Sequence, residues 1–260
     1  MNNTALITGA SGGIGHELSR IFAENGYDLV LVARNAEELD SIKEELEGTY
    51  GIKAHVIIKD LSEKDAALSV YEEIMGREHE IRILVNNAGF GDYSPYYESN
   101  WNKQYEMIQV NIVSLMQLTR LFLPHMIENG EGRILNIASI AAFEPGPYMS
   151  AYYASKAFVL SFSEALSAEL KGTGVTVTAS CPGPTRTGFD SAAGEGAVKM
   201  FSSIKTSSPE DVARFSYRSL MKGKVVAVPG LTNKFLVSIQ RILPRSTVRS
   251  FVSRIQREKD

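Results

Sequence analysis

Residues 8–15 read Thr-Gly-Ala-Ser-Gly-Gly-Ile-Gly, and this stretch decides the fold of the chain. It follows an apolar run at residues 5–8 and opens into a segment of helical periodicity at residues 13–25. Glycines permit a tight turn and let backbone N–H groups approach a pyrophosphate without an intervening Cβ. The helix N-terminus adds free N–H donors and about half a positive charge. The stretch therefore predicts a dinucleotide-binding turn, and a tight turn without a ligand is the simpler alternative.

Working outward, short apolar runs rich in β-branched residues recur along the chain. They lie at residues 5–8, 28–33, 54–58, 83–86, 133–138, 175–180 and 225–228. Their nearly continuous apolarity is typical of strands that are buried on both faces of a parallel sheet.

Segments of helical periodicity separate these runs. They lie at residues 13–25, 37–48, 62–76, 104–123 and 151–171. Asn35, with Glu38 three residues later, indicates a helix start. The alternation predicts an α/β fold of one domain, a Rossmann-type doubly wound parallel sheet over residues 1–230. Residues 231–260 form a separate extension.

Composition limits the function classes. The 260 residues are 44% hydrophobic and 22% charged, as in an ordinary globular protein. Cys181 is the only cysteine, so no internal disulfide is expected, and the four histidines show no ligand spacing, so no metal site is expected. No signal peptide and no apolar run of membrane-spanning length is present, which predicts a cytoplasmic protein.

The end of the second strand indicates which dinucleotide is bound. An acidic residue about 20 residues after the glycine turn would bond the ribose 2′-hydroxyl of NAD. This chain has Ala33 there, followed by Arg34, which can hold a 2′-phosphate through charge-assisted bonds. The pattern favours NADP(H), while a solvated loop arginine is the alternative.

Further motifs follow in order along the chain. They are Asp60-Leu61, Asn86-Asn87-Ala88-Gly89, Asn111, Ser139, Tyr152-x-x-x-Lys156 and Pro182-Gly183-x-x-x-Thr187. With the glycine turn, they make residues 4–230 resemble the core short-chain dehydrogenase/reductase family. The resemblance is specific for fold, cofactor class and catalytic residues, and it says little about the substrate.

The resemblance implies a cofactor site and a catalytic set. Asp60 would bond the adenine amino group, and Thr185 and Thr187 would contact the nicotinamide carboxamide. Together with Arg34, the implied cofactor-binding residues are Gly9, Ser11, Gly13, Ile14, Gly15, Asp60, Leu61, Asn87, Ala88, Gly89, Tyr152, Lys156, Pro182, Gly183, Thr185 and Thr187. Asn111 would position a water that relays protons through Lys156, which completes a catalytic set of Asn111, Ser139, Tyr152 and Lys156.

The residues themselves support this chemistry. Tyr152 and Lys156 lie four apart on a predicted helix and so share a face. The ammonium of Lys156, together with the charge of an oxidised nicotinamide, would lower the pKa of Tyr152 and make it an acid–base group. Ser139 follows a strand at the ligand-binding edge of the sheet, where its hydroxyl can bond the substrate oxygen. A packing tyrosine and a solvated lysine are the alternative.

These features predict an NADP(H)-dependent oxidoreductase that transfers hydride between the nicotinamide and a carbonyl or secondary alcohol. Aromatic residues in the loops at 90–97 and 144–149 suggest a hydrophobic substrate, such as a ketone, an acyl or a steroid-like compound. Residues 188–208 are expected to form a substrate-covering segment. A non-catalytic NADP(H) sensor or scaffold is the alternative, and family resemblance implies a homodimer or homotetramer built through residues 104–123 and 151–171.

The last thirty residues are a basic amphipathic extension. They hold seven Lys/Arg and two acidic residues, a net charge of +5 against −8 for the remainder. Apolar residues recur at helical spacing on both sides of Pro244. Three hypotheses remain: packing on its own domain or a partner subunit, peripheral contact with an anionic membrane, or binding of an acidic acyl carrier or nucleic acid. Nothing else in the chain suggests nucleic acid.

Overall fold

Seven short apolar segments form one parallel sheet in the order β3-β2-β1-β4-β5-β6-β7. The structure is a computed structural model, which describes residues 3–77, 80–189, 193–194, 206–240 and 242–256. The strands are β1 Thr4–Thr8, β2 Asp28–Ala33, β3 Ala54–Ile58, β4 Ile81–Asn86, β5 Gly132–Ile137, β6 Val175–Ser180 and β7 Val226–Ala227. The chain is a single α/β domain of the Rossmann type, which confirms the predicted fold class.

Helices cover both faces of the sheet. They are α1 Gly13–Glu24, α2 Ala36–Tyr50, α3 Ala66–Met75, α4 Trp101–Ile108, α5 Leu115–Glu128, α6 Ser150–Glu169, α7 Pro209–Met221, α8 Leu231–Gln240 and α9 Arg245–Gln256. One core layer includes Phe22, Leu39 and Leu220, so α1, α2 and α7 share a face. The other includes Val70, Phe122 and Leu166, from α3, α5 and α6. Both layers form because the strands bury apolar side chains on alternate faces.

The strand order reverses beside β1, which pairs with β2 on one side and with β4 on the other. Chain connections leave this point in opposite directions, which opens a crevice at the carboxyl ends of the strands. The loops that follow β1, β4, β5 and β6 meet there. The sheet therefore places the predicted motifs at one edge.

The predicted strand bounds hold within two residues, but two helices differ. The helix expected at 62–76 begins only at Ala66, because the Asp60 carboxylate accepts bonds from the Ser62 backbone and hydroxyl at 2.9 and 2.7 Å. Such local bonds compete with the helical pattern. The helix expected at 104–123 is longer and contains a π-helical segment, Gln109–Ser114, between α4 and α5.

Helices α8 and α9 pack over the carboxyl edge of the sheet. Val237 of α8 and both Val248 and Val252 of α9 are buried. Pro244 lies between the two helices. This packing agrees with the hypothesis that the extension lies on its own domain. No helix among the described residues is both long enough and apolar enough to cross a bilayer.

Candidate functional site

The glycine turn between β1 and α1 has the backbone that glycine requires. Gly9 and Gly13 have φ angles of +65° and +53°, in the left-handed region that other residues rarely adopt. A Cβ on Gly15 would lie 2.0 Å from the Gly9 carbonyl oxygen. Gly15 therefore acts through close packing of α1 on the turn, whereas Gly9, Ser11, Gly13 and Ile14 line a cavity directly.

The turn is fastened to the end of β4. The Thr8 hydroxyl donates to the Val85 carbonyl at 3.2 Å and accepts from the Asn87 and Ala88 amides, each at 3.0 Å. The Asn87 side chain donates to the Thr8 and Gly9 carbonyls at 2.9 and 3.1 Å. Thr8 was not predicted as a site residue, although its place at the head of the glycine motif was a usable signal.

The cavity occupies the crevice at the carboxyl edge of the sheet and has a volume of about 1320 Å³. Most of the predicted site residues line it. They are Gly9, Ser11, Gly13, Ile14, Arg34, Asp60, Leu61, Asn87, Ala88, Gly89, Ser139, Tyr152, Lys156, Pro182, Gly183, Thr185 and Thr187. Gly15 and Asn111 lie behind this lining.

The end of β2 presents a cationic side chain to the cavity. The Arg34 side chain is 74% exposed, and its Nη1 lies 3.6 Å from Asp60 Oδ2. Burial opposes ionisation of Asp60, but the Ser62 hydrogen bonds and the Arg34 charge outweigh it, so the pKa of Asp60 is lowered. Asp60 is thus an anion that holds Arg34 beside the lining residue Ala33.

Ser139, Tyr152 and Lys156 converge deeper in the cavity. Tyr152 and Lys156 lie one turn apart on α6 and are 9% and 6% exposed. The Tyr152 hydroxyl lies close enough to Ser139 for that residue to lower its pKa, and Lys156 Nζ donates to the Ile137 carbonyl at 2.8 Å. Lys156 Nζ lies 5.8 Å from the centroid of the Tyr152 ring. The Ser139 and Tyr152 hydroxyls therefore lie close together in the cavity, and the Lys156 ammonium lies near the Tyr152 ring.

The expected lowering of the Tyr152 pKa concerns the complex with oxidised cofactor, and in the chain by itself the pKa of Tyr152 is raised. Burial raises the pKa of Tyr152 to about 12, and the Ser139 hydrogen bond offsets this only in part. Burial also lowers the pKa of Lys156 to about 8. Removing both groups from water disfavours the phenolate and the ammonium alike.

Asn111 lies in the π-helical segment and supports the site from behind. Its side chain bonds the Phe90 backbone N–H and C=O at 3.1 and 3.0 Å, and it donates to the Ser155 hydroxyl at 3.1 Å. A Cβ on Gly89 would lie 2.9 Å from Asn111 Oδ1 and 3.3 Å from Lys156 Nζ. Asn111 therefore borders Lys156, and both of its amide protons are already donated within the protein.

Sequence reasoning missed that the C-terminal extension forms part of the cavity wall. Leu236, Val237 and Gln240 from α8, and Phe251 and Val252 from α9, line the cavity. Of the aromatic loops, Phe90 and Met149 contribute lining, whereas Tyr93 and Tyr148 stack on each other with ring centroids 5.6 Å apart. The substrate-covering segment predicted at 188–208 lies largely outside the described residues.

The larger part of the chain matches a known protein family. The family model described as short chain dehydrogenase matches residues 3–197. Sulfoacetaldehyde reductase 2 of Chromohalobacter salexigens is 35% identical over 226 residues, which cover 84% of this chain and 88% of that protein. A short-chain dehydrogenase from Sphingobium yanoikuyae, solved in complex with NADPH, matches with a TM-score of 0.82 and 30% identity, covering 92% of this chain and 94% of that one.

A longer relative matches only in part. Very-long-chain 3-oxoacyl-CoA reductase of Anas platyrhynchos is 39% identical over 184 residues, which cover 68% of this chain. The matched region spans 58% of the length of that relative.

The glycine turn yields a prediction on stability. Gly15→Ala should lower the free energy of unfolding by about 1–3 kcal/mol, because the new methyl meets backbone that cannot move aside cheaply. Gly12→Ala is the matched control, since a Cβ on Gly12 meets nothing within 4 Å. Urea denaturation of both variants measures the difference. Equal stability of the two would contradict the packing role of Gly15.

Proposed function

Because this chain belongs to the short-chain dehydrogenase/reductase family, we propose that it is an NADP(H)-dependent oxidoreductase. It transfers hydride between the nicotinamide and a carbonyl or secondary alcohol of a hydrophobic substrate, with Tyr152 as the acid–base group. The observation that carries this proposal is the convergence of Ser139, Tyr152 and Lys156 in the cavity that also holds the glycine turn.

The residues of the cavity fit a dinucleotide. Gly9, Gly13 and Gly89 lack the Cβ atoms that would otherwise crowd the turn and the end of β4. The N-terminus of α1 supplies the backbone donors that a pyrophosphate requires. When bound, the cofactor supplies the hydride and, in its oxidised form, a positive charge near Tyr152. Preference for NADP(H) is supported by Arg34 and by the NADPH complex of the Sphingobium relative.

The chain's own groups provide the proton and hold the oxygen. The Ser139 hydroxyl is placed to donate a hydrogen bond to the substrate oxygen, where negative charge develops during reduction. Tyr152 is protonated at neutral pH, as its pKa of about 12 requires, so its hydroxyl can donate the proton to that oxygen. Lys156, with a pKa of about 8, stabilises the resulting phenolate when it carries its proton.

A hydrophobic substrate is supported by the lining of the cavity. Leu236 and Phe251 from the extension, and Phe90 and Met149 from the loops, line the same cavity as Tyr152. The name of the Anas relative, which acts on a very-long-chain acyl group, agrees with such a substrate. Ketone, acyl and steroid-like compounds all match this lining.

We also propose a homodimer or homotetramer that associates through α4, α5 and α6. Tyr105, Val113 and Met116 support this surface, because they are 54%, 41% and 40% exposed on the segment that leads from α4 into α5. Exposed apolar groups of this size commonly mark subunit contacts.

Replacing the acid–base group tests the activity. Tyr152→Phe should lower kcat at least about 100-fold, since general acid–base catalysis contributes about 10²–10⁴-fold. Tyr153→Phe is the matched control and should keep its turnover. Activity is measured on a panel of ketones and alcohols, and cofactor binding by fluorescence titration. Binding of NADPH without turnover by the wild-type protein on every substrate would favour the sensor or scaffold alternative.

Reversing the charge at the end of β2 tests the cofactor preference. Arg34→Asp should weaken NADPH binding by about 10- to 100-fold and NADH binding much less, because a charge-assisted bond contributes about 1.5–3 kcal/mol. Arg77→Asp is the control, an exposed arginine outside the cavity lining. Isothermal titration calorimetry measures the affinities of both variants for NADPH and for NADH. An equal loss for NADPH and NADH would remove the basis for this preference.

A further inference from the structure

A polar pair lies in the apolar part of the cavity. Glu144 directly follows the short 3-10 helix Ile140–Phe143, and Gln240 is the last residue of α8. The Gln240 amide donates to Glu144 Oε2, and both residues line the cavity. Gln240 Oε1 is buried and, among the described residues, has no hydrogen-bond partner. The pair therefore contains one buried acceptor oxygen, Gln240 Oε1, that no described residue satisfies.

The distance between Glu144 and Ser139 follows from the length of the 3-10 helix that joins them. Ser139 caps the 3-10 helix by accepting from the Ala141 amide at 3.1 Å, and Glu144 lies at its other end. A 3-10 helix rises about 2 Å per residue, so Glu144 stands about 10 Å from Ser139. A substrate whose oxygen meets Ser139 and Tyr152 would reach Glu144 with its far end.

The acceptor oxygens of Glu144 and Gln240 indicate which chemical group the far end of the substrate carries. Burial raises the pKa of Glu144 to about 7, and the bond from Gln240 lowers it by less. A carboxyl and an amide oxygen buried among apolar side chains are stabilised by a hydrogen-bond donor. Leu236 and Phe251 line the same cavity, and such apolar side chains favour a neutral donor over a hydrated cation.

We propose that Glu144 and Gln240 form a subsite for a substrate hydroxyl, about 10 Å from the carbonyl that is reduced. This inference rests on the proposed oxidoreductase function and narrows its substrates to long molecules with two oxygen functions. The C-terminal extension thus takes part in substrate selection through Gln240.

A series of paired substrates tests the subsite. Aliphatic ketones of increasing length, each with and without a terminal hydroxyl, are compared by kcat/KM. The wild-type protein should prefer the hydroxyketone by about 10- to 100-fold at the length that bridges about 10 Å, and less at other lengths. Glu144→Leu and Gln240→Leu should each bring this ratio close to one. Glu44→Leu, an exposed glutamate on α2, is the control and should keep it.

Failure of the subsite is distinguishable from failure of the proposed function. A wild-type protein that reduces the plain ketones but shows no preference at any length overturns the subsite alone. So does a Gln240→Leu variant whose ratio equals that of the wild type. A wild-type protein that reduces neither series overturns both proposals.

A second, independent observation concerns the outer face of α8. Leu231, Phe235 and Ile239, with Ile242 just beyond the helix, recur every three or four residues and are 84%, 66%, 37% and 84% exposed. The opposite side of α8 lines the cavity through Val237 and its neighbours. The helix therefore has an apolar stripe that faces away from the protein.

The charges beside this stripe favour an anionic surface. Residues 231–256 contain five Lys/Arg and no Asp/Glu. Lys234, Arg245, Arg249 and Arg254 are exposed. A second copy of the same face would bring like charges together, whereas anionic lipid satisfies both the charges and the apolar stripe. We infer that α8 and α9 lie on an anionic lipid bilayer.

Vesicle flotation of the full chain tests this inference. The protein should float with vesicles of phosphatidylglycerol and phosphatidylcholine, and at least about tenfold less with phosphatidylcholine alone. The double variant Phe235→Ser/Ile242→Ser should lose flotation. Ile58→Ser/Tyr97→Ser, which removes two exposed apolar side chains elsewhere, should retain it.

Two outcomes overturn lipid binding. One is a wild-type protein that does not float, or floats equally with neutral vesicles. The other is a Phe235→Ser/Ile242→Ser variant that floats like the wild type. Sedimentation velocity on the same variants identifies a second copy as the occupant if that double substitution dissociates an oligomer instead.

Discussion

The hydrogen bonds of the Thr8 hydroxyl hold the glycine turn against the end of β4, and the rest of the site is arranged around that junction. One hydroxyl joins Val85, Asn87 and Ala88, while the Asn87 amide returns to the turn. Because these bonds satisfy backbone groups where the strand order reverses, the crevice stays open for a ligand. A residue without a hydroxyl at position 8 would remove the acceptor of the Ala88 amide at the point where two halves of the sheet meet.

A buried polar network links this junction to α6, the helix that carries the proposed catalytic residues. Asn136 on β5 accepts from the Asn86 amide at 2.9 Å and donates to the Ser163 hydroxyl of α6 at 2.9 Å. The core around it is apolar, so each bond restricts how α6 can rotate against the sheet. Tyr152 and Lys156 lie on the same helix and are therefore aimed at the crevice by contacts more than one turn away.

Desolvation sets the pKa values of Tyr152 and Lys156, the proposed catalytic pair, in this chain. Burial stabilises the neutral forms of Tyr152 and Lys156, which raises one pKa and lowers the other. A protonated phenol suits proton donation to a carbonyl, and a lysine that titrates near neutral pH can take up or release a proton without a large cost. The positive charge of a bound oxidised cofactor would act in the direction of the phenolate. The bound cofactor and the packing of α6 are thus expected to determine the pKa of Tyr152 together.

The sequence alone determined the alternation of strands and helices, the glycine turn and the placement of Tyr152 and Lys156 on one helix face, because each depends on local periodicity or short spacing. The predicted helix bounds were wrong where a side chain competes with the backbone, as Asp60 does before α3. They were also wrong where a π-helical segment, which contains Asn111, joins α4 to α5. Only the tertiary structure decided that α8 and α9 form a wall of the cavity, that Gln240 meets Glu144 across 96 residues, and that burial raises the pKa of Tyr152. These depend on which surfaces are removed from water when distant segments pack, and no local pattern records that.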